Sequence, residues 1–138
     1  MKDNRFGIGI VGCGNISEHY ALTMTSFPQL ELIGFTDIDQ HRAKTMAERF
    51  GAKVFDNLET MLQSSEVDII LNLTIFQAHY EVTKASLLAG KHVFSEKPLA
   101  LNYADALMMY KAANEAGIKH QIGFNYRYVP AIILAKKM

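Results

Sequence analysis

The sequence predicts an α/β protein built on a doubly wound parallel sheet. Three observations carry that expectation. Strand-like and helix-like segments alternate along the 138 residues. A glycine pair, Gly12 and Gly14, directly follows the first apolar run. The run Ile69-Ile70-Leu71 has no polar alternation, as expected of a strand covered on both faces. Such alternation gives right-handed crossovers, with helices on both sides of one sheet.

The elements follow in order. Residues 6–11 form a first strand, rich in β-branched side chains. Ile16, Tyr20, Met24 and Phe27 recur at helical spacing until Pro28 ends the pattern. Residues 30–36 form the second strand. Asp39 suits the N-cap of a helix that buries Ala43, Met46, Ala47 and Phe50 and stops at Gly51. Residues 53–55 give a short third strand, and Leu58, Met61 and Leu62 a short helix. The fourth strand covers 67–73, and a helix over 78–89 ends at Gly90. A fifth strand covers 92–95. Asn102 caps a helix carrying Ala106, Leu107, Tyr110 and Ala113, stopped by Gly117. Residues 120–124 form the sixth strand, and Val129-Pro130 opens a last helix, with proline suited to its first turn.

Composition narrows the functions available. Apolar residues make up 49% of the chain, which points to a folded domain rather than disorder. A chain of this length buries roughly two thirds of its unfolded surface. Fourteen basic residues balance 14 acidic ones, which gives no support to nucleic acid or an anionic membrane as partner. Cys13 has no second cysteine to pair with, in keeping with a reducing compartment. The start Met1-Lys2-Asp3-Asn4-Arg5 faintly imitates a signal peptide, but the apolar stretch after it is short and broken by glycines. No apolar run approaches the ~20 residues of a membrane span. The expectation is a cytoplasmic protein. Five histidines and one cysteine show no metal-ligand spacing, and the methionines, Met108 and Met109 among them, read as core filler on helices.

The segment Gly12-Cys13-Gly14-Asn15-Ile16 is the first candidate site. A strand that ends in two glycines and turns into a helix can hold a dinucleotide pyrophosphate. Gly12 permits the tight turn, Gly14 lets the backbone approach the phosphates, and N–H groups around Asn15 and Ile16 face the negative charge. Ser17 replaces the third glycine of the usual G-x-G-x-x-G pattern. The alternative is an ordinary βα turn whose glycines serve geometry alone. Asp37 ends the second strand at the distance expected of the acid that accepts hydrogen bonds from a ribose. A carboxylate there repels a 2′-phosphate, which favours NAD over NADP; Arg42 nearby works the other way. Asp37 or Asp39 could instead simply cap the following helix. With the glycine turn after the first strand, six strands suggest the Rossmann order 3-2-1-4-5-6.

Residues 67–99 read VDIILNLTIFQAHYEVTKASLLAGKHVFSEKPL. With the GCGNIS turn, the acidic end of the second strand and the GFNYRY segment at 123–128, this closely resembles the Gfo/Idh/MocA oxidoreductase family over nearly the whole chain. The resemblance implies a nicotinamide dinucleotide, NAD or NADP, and hydride transfer to or from a carbon bearing a hydroxyl on a sugar, cyclitol or related polyol. It puts Lys97 of Glu96-Lys97-Pro98 beside the nicotinamide. Oxidising a C–OH carbon requires the hydroxyl proton to leave, and a lysine amine with its pKa lowered by burial can relay it or stabilise the oxyanion. Glu96 would lie at the cofactor ribose. Without the family, a surface Lys-Pro turn is the simpler reading.

Thr74 and His79 follow the fourth strand, on the sheet edge where ligands bind in this architecture. The family usually has Thr-Pro there, and Ile75 replaces the proline. His79 reads equally as a ligand contact or as a histidine satisfied at a helix start. Asn125 and Arg127 follow the sixth strand. The resemblance brings them near the nicotinamide and the substrate entrance, and the alternative role is to pin a connection between domains.

Two units are expected: residues 1–124 as the dinucleotide-binding domain and 125–138 as the start of a connection. Family members carry a second α/β domain for substrate and oligomer contacts, with a histidine that completes the proton relay. None of the five histidines here holds that position. The expectation is a domain that binds NAD and turns over little or no polyol alone. Ile132, Ile133 and Leu134 on the last helix would favour self-association or fraying. A non-catalytic dinucleotide-binding module is the alternative. Lys97 favours the enzyme, and the missing second domain favours the module.

Overall fold

The computed structural model describes residues 5–138; residues 1–4, which hold most of the signal-like start, lie outside the described residues. Six parallel strands form one sheet in the order β3-β2-β1-β4-β5-β6. They are β1 (Phe6–Val11), β2 (Leu30–Thr36), β3 (Lys53–Val54), β4 (Ile69–Asn72), β5 (His92–Ser95) and β6 (His120–Ile122). The helices between them are α1 (Ser17–Met24), α2 (Gln40–Phe50), α3 (Leu58–Gln63), α4 (His79–Leu88) and α5 (Tyr103–Glu115). A 3-10 turn at Asn125–Tyr128 then leads to α6 (Pro130–Lys137). The sequence reading did not foresee that turn.

The strand order reverses at β1. Ile10 is in register with Phe35 of β2 on one side and Leu71 of β4 on the other. The chain winds outward from β1 through β2 to β3, returns to β4, and winds outward again. Crossovers leave in opposite directions at the β1/β4 boundary and open a crevice at the carboxyl ends of the strands.

Both faces of the sheet are covered. Ile8, Ile10 and Leu71 pack with Ala21 and Met24 of α1 and with Ala43, Met46 and Ala47 of α2. On the other face Val11 and Ile70 pack with Met61 of α3. Leu87, Val93, Met109 and Ala113 form a third cluster where α4 and α5 meet β5. The unalternating run in β4 thus supplies Ile70 to one face and Leu71 to the other. Local capping follows the sequence closely. The Asp39 carboxylate accepts from His41 N at 3.0 Å, and Asn102 Oδ1 accepts from Asp105 N at 2.9 Å.

Two helical faces differ from expectation. α1 ends at Met24, three residues early, and turns Ser17, Ala21 and Met24 inward, while Ile16 and Phe27 are exposed. On α5 Met109 enters the core as expected, but Met108 and Tyr110 do not; they are 50% and 64% exposed. Met109 and Tyr110 are neighbours on the helix. The slot against Leu87 takes the unbranched methionine, and the phenol stays in water.

Beneath the carboxyl edge runs a polar chain that periodicity does not reveal. Thr74 Oγ1 donates to Asn72 Oδ1 at 2.6 Å, and Asn72 Nδ2 donates to Thr83 Oγ1 at 3.0 Å. Thr83 and Ser95 hydroxyls share a hydrogen bond of 2.8 Å, and Ser95 Oγ meets His120 Nε2 at 3.3 Å. Asn72, Thr83 and Ser95 are fully buried. The chain ties β4, α4, β5 and β6 together, and each buried group finds a partner, as a low-dielectric interior demands.

Burial pushes the His120 pKa below its ordinary 6.5. The unfolded chain therefore takes up the proton more readily. Stability is complete above pH 6.5 and falls as the pH drops through 6.5 towards the folded value. Urea unfolding midpoints measured against pH should show that slope in the unaltered protein and a shallower one in His120→Gln; equal slopes would remove His120 as the cause.

Candidate functional site at the glycine turn

Gly12 adopts φ +96°, and a Cβ there would stand 2.7 Å from the backbone of Leu73 and Thr74. Only glycine fits a turn pressed this closely on β4. Gly14 is the opposite case. No atom lies within 4 Å of where its Cβ would be, so its missing side chain leaves open space in front of the turn. The third-glycine position works as serine because Ser17 is fully buried and its Oγ donates to Gly14 O at 2.7 Å.

α1 starts without a side-chain cap. The N–H groups of Gly14, Asn15 and Ile16 make no hydrogen bond among the described residues. They form a cluster of unpaired donors at the positive end of a helix dipole, beside the open space at Gly14.

Asp37 is fastened to this turn. Its Oδ2 accepts from Cys13 N at 2.6 Å and its Oδ1 from Asp39 N at 2.8 Å. Asp39 is the residue that caps α2, and Arg42 pairs with it at 3.5 Å. Cys13 is buried, and its thiol is pushed up to about 12 by that burial and by the Asp37 charge, with Arg42 opposing. It stays protonated and serves packing.

Two cavities flank the turn. One, of about 410 Å³, opens towards β2 and is lined by Gly12, Gly14, Asp37, Ile38 and Arg42. The other, of about 630 Å³, opens towards β5 and β6 and is lined by Ile16, His79, Glu96, Lys97, Asn125 and Arg127. Thr74 and Ile75 border both. The candidate residues thus divide between two halves of one crevice, and Asn15 stands exposed outside both linings.

In the larger cavity Lys97 is exposed, where its sequence role called for a buried amine. Its ammonium group has no hydrogen-bond or ion-pair partner among the described residues. The backbone beneath it is fixed, with Glu96 N donating to Asn72 O at 3.0 Å and Lys97 N to Glu96 Oε2 at 3.1 Å. His79 is 1% exposed; its Nδ1 lies 2.7 Å from Pro98 O and its Nε2 3.0 Å from Thr74 O. Both facing atoms are acceptors, so a neutral ring donates to one and a protonated ring to both. In either form His79 clamps the Thr74 loop to the chain after Lys97. The Arg127 guanidinium stacks 4.6 Å over the Phe124 ring.

One site residue escaped the sequence reading. Tyr20, taken for part of the apolar face of α1, donates its hydroxyl to Oε1 of Glu96, which lines the larger cavity. Its phenol is pushed up to about 12, by burial first and then by the Glu96 carboxylate.

The turn, its free amides and the divided crevice define a dinucleotide-binding α/β domain. The chain belongs to the Gfo/Idh/MocA oxidoreductase family, whose model, described as an oxidoreductase family with an NAD-binding Rossmann fold, matches residues 6–124. Among curated relatives, the glucose-6-phosphate 3-dehydrogenase of Bacillus subtilis is 32% identical over 131 residues, which is 95% of this chain and 37% of that protein. Among solved structures, the WlbA dehydrogenase of Bordetella pertussis, in complex with NADH and UDP-GlcNAcA, has a TM-score of 0.92 at 29% identity; the match covers 99% of this chain and 40% of that one. KijD10, a 3-ketoreductase from Actinomadura kijaniata in complex with NADP, has a TM-score of 0.90 at 26% identity and covers 98% and 44%. The chain spans less than half the length of these proteins.

The residues present fit a nicotinamide dinucleotide. Open space at Gly14 and three unpaired amides suit its diphosphate, and Asp37 offers acceptors next to them. Among the described residues no group of histidine, cysteine or acidic side chains could hold a metal ion, and no helix is long and apolar enough to cross a membrane.

The two glycines should respond differently to a methyl group. Gly12→Ala should destabilise the domain by about 1–3 kcal/mol or more, since it combines a positive φ with a backbone clash. Gly14→Ala should stay within about 1 kcal/mol of the unaltered protein. Denaturant midpoints decide this, and equal losses at the two positions would contradict the geometry.

Proposed function

We propose that this domain holds NAD across the β1/β4 crevice and that the protein it serves is a dehydrogenase acting on a sugar, cyclitol or related polyol. The observation that carries the reading is the cluster of unpaired amides at Gly14, Asn15 and Ile16, set between two cavities that could each take one nucleoside. The adenosine half goes to the smaller cavity, with its ribose hydroxyls donating to Asp37. The nicotinamide half goes to the larger cavity, where Glu96 accepts from the second ribose and Thr74, Asn125 and Arg127 border the ring. His79 contributes by fixing Thr74. The nicotinamide, when bound, accepts or returns a hydride at the substrate carbon. Lys97 moves the hydroxyl proton in the same reaction. We assign residues 1–124 to nucleotide binding, residues 125–138 to a connection with a substrate domain, and the protein to the cytoplasm.

A second reading has one observation in its favour. Lys97 is exposed in this chain, so the domain alone would bind NAD without turnover. The two readings part at the level of the longer protein.

NAD is preferred to NADP on electrostatic grounds. The Asp37 carboxylate repels a 2′-phosphate, and Arg42 is already paired with Asp39. Fluorescence titration should give NADH at least about tenfold tighter binding than NADPH, roughly 1.4 kcal/mol. Asp37→Ala should narrow that gap, and Gly14→Ala should weaken both nucleotides while the fold is kept. Tighter NADPH binding, or an Asp37→Ala variant with unaltered affinities, would sink the ribose assignment.

The role of Lys97 is tested in a chain that carries the substrate domain. Lys97→Ala should lower kcat on a responsive polyol by about 10²–10⁴-fold, with NAD affinity within a few-fold. Undiminished turnover would end the proton-transfer role.

A further inference from the structure

We propose that Tyr20 is a positioning residue that sets the Glu96–Lys97 segment for the nicotinamide half of the cofactor, through its hydroxyl bond to Glu96. The inference rests on the cofactor reading above and goes beyond it.

Glu96 is gripped from three elements. The Tyr20 hydroxyl on α1 donates to Oε1. The N–H of Lys97 donates to Oε2 at 3.1 Å. Gly123, beyond the end of β6, lacks the Cβ that would stand 3.1 Å from Oε1, so the carboxylate can rest against that backbone. Take away the Tyr20 donor and only the local bond from Lys97 fixes the side chain. A carboxylate so released can turn about its χ angles and stop presenting its remaining lone pairs to one point in the cavity.

The position of Tyr20 gives the bond its consequence. Tyr20 lies on the first turns of α1, and its own N–H donates to Ile16 O at 3.1 Å. The helix that offers unpaired amides at Gly14, Asn15 and Ile16 therefore also carries the hydroxyl that holds Glu96. One rigid element spans the diphosphate subsite and the Glu-Lys segment, which otherwise lie on different strands. Coupling between separate sites needs such a shared element. The Tyr20 ring is held independently of its hydroxyl, with its centroid 5.9 Å from that of Phe94. The raised phenol is in accord with this, since the hydroxyl keeps its proton and stays a donor at any ordinary pH.

The test compares two probes, NADH and ADP-ribose, which share the diphosphate and adenosine but differ in the nicotinamide. Tyr20→Phe keeps the packing and removes the donor. It should weaken NADH by about 5–10-fold and ADP-ribose by less than about twofold. A general structural defect would weaken both alike. Glu96→Ala, which removes the acceptor, should also weaken NADH, and adding Tyr20→Phe to it should cost nothing further, because the hydroxyl then has no carboxylate to position. Separately, ultraviolet difference titration in Glu96→Gln should bring one tyrosine down from its high ionisation point, and Tyr20→Phe should abolish that transition. If the unaltered protein binds neither probe, the cofactor reading falls and this role with it. If NADH binds normally but Tyr20→Phe leaves its affinity intact, or the two changes add independently, the positioning role alone is overturned.

Discussion

At Gly12 the chain turns away from β1 with its α-carbon pressed against the end of β4. A methyl group would stand 2.7 Å from Leu73 and Thr74 backbone atoms, so the two strands could not stay adjacent beside any other residue with this turn. That contact sits where strand order reverses, at the mouth of the crevice that the reversal opens. Once the turn is fixed, Cys13 N points at Asp37 and the bond between them ties the end of β2 to the same loop. The amides after Gly14 are then left unpaired beside open space. One steric constraint thus determines where a diphosphate could lie and where the acid beside it stands.

Much of this was legible in the chain because it is local. Alternating strand and helix patterns with a glycine pair after the first strand give the order 3-2-1-4-5-6, since few topologies satisfy right-handed crossovers. Asp39 and Asn102 cap the helices they precede, because a cap acts within three residues. What escaped depends on distant partners. Tyr20 sits at an ordinary apolar spacing, and only the folded chain brings it to Glu96, 76 residues away. The same holds for Thr83 and Ser95, small polar residues that prove fully buried. Met109 and Tyr110 are one position apart, and helical period alone cannot rank them.

Polar groups under the sheet edge explain how a loop-built site is held. Thr74 is bonded to Asn72, whose amide reaches Thr83 and the His79 carbonyl. His79 in turn joins Thr74 to Pro98. The loop with Ile75 in place of the family's proline is therefore braced by side chains from below rather than by its own backbone ring. That is a costly arrangement to leave half-made, because a buried donor without a partner loses about 1–3 kcal/mol. Among the described residues no buried side-chain nitrogen or oxygen is left unpartnered.

This bracing sets what the domain contributes and what it does not. Backbone positions around Lys97 are fixed on three sides, by Asn72 O, by the Glu96 carboxylate and by His79 at Pro98. The Lys97 side chain itself stands in solvent. A lysine that moves a proton needs its amine both placed and desolvated. For the role proposed for Lys97, the sheet edge would do the placing. Under the proposed role, desolvation would come from what closes over the larger cavity, such as bound nucleotide or substrate. The division is physically sensible, because an amine buried in the nucleotide-binding fold alone would carry its desolvation penalty whether or not substrate was present, whereas an amine covered only on assembly meets it when the reaction is ready to use it.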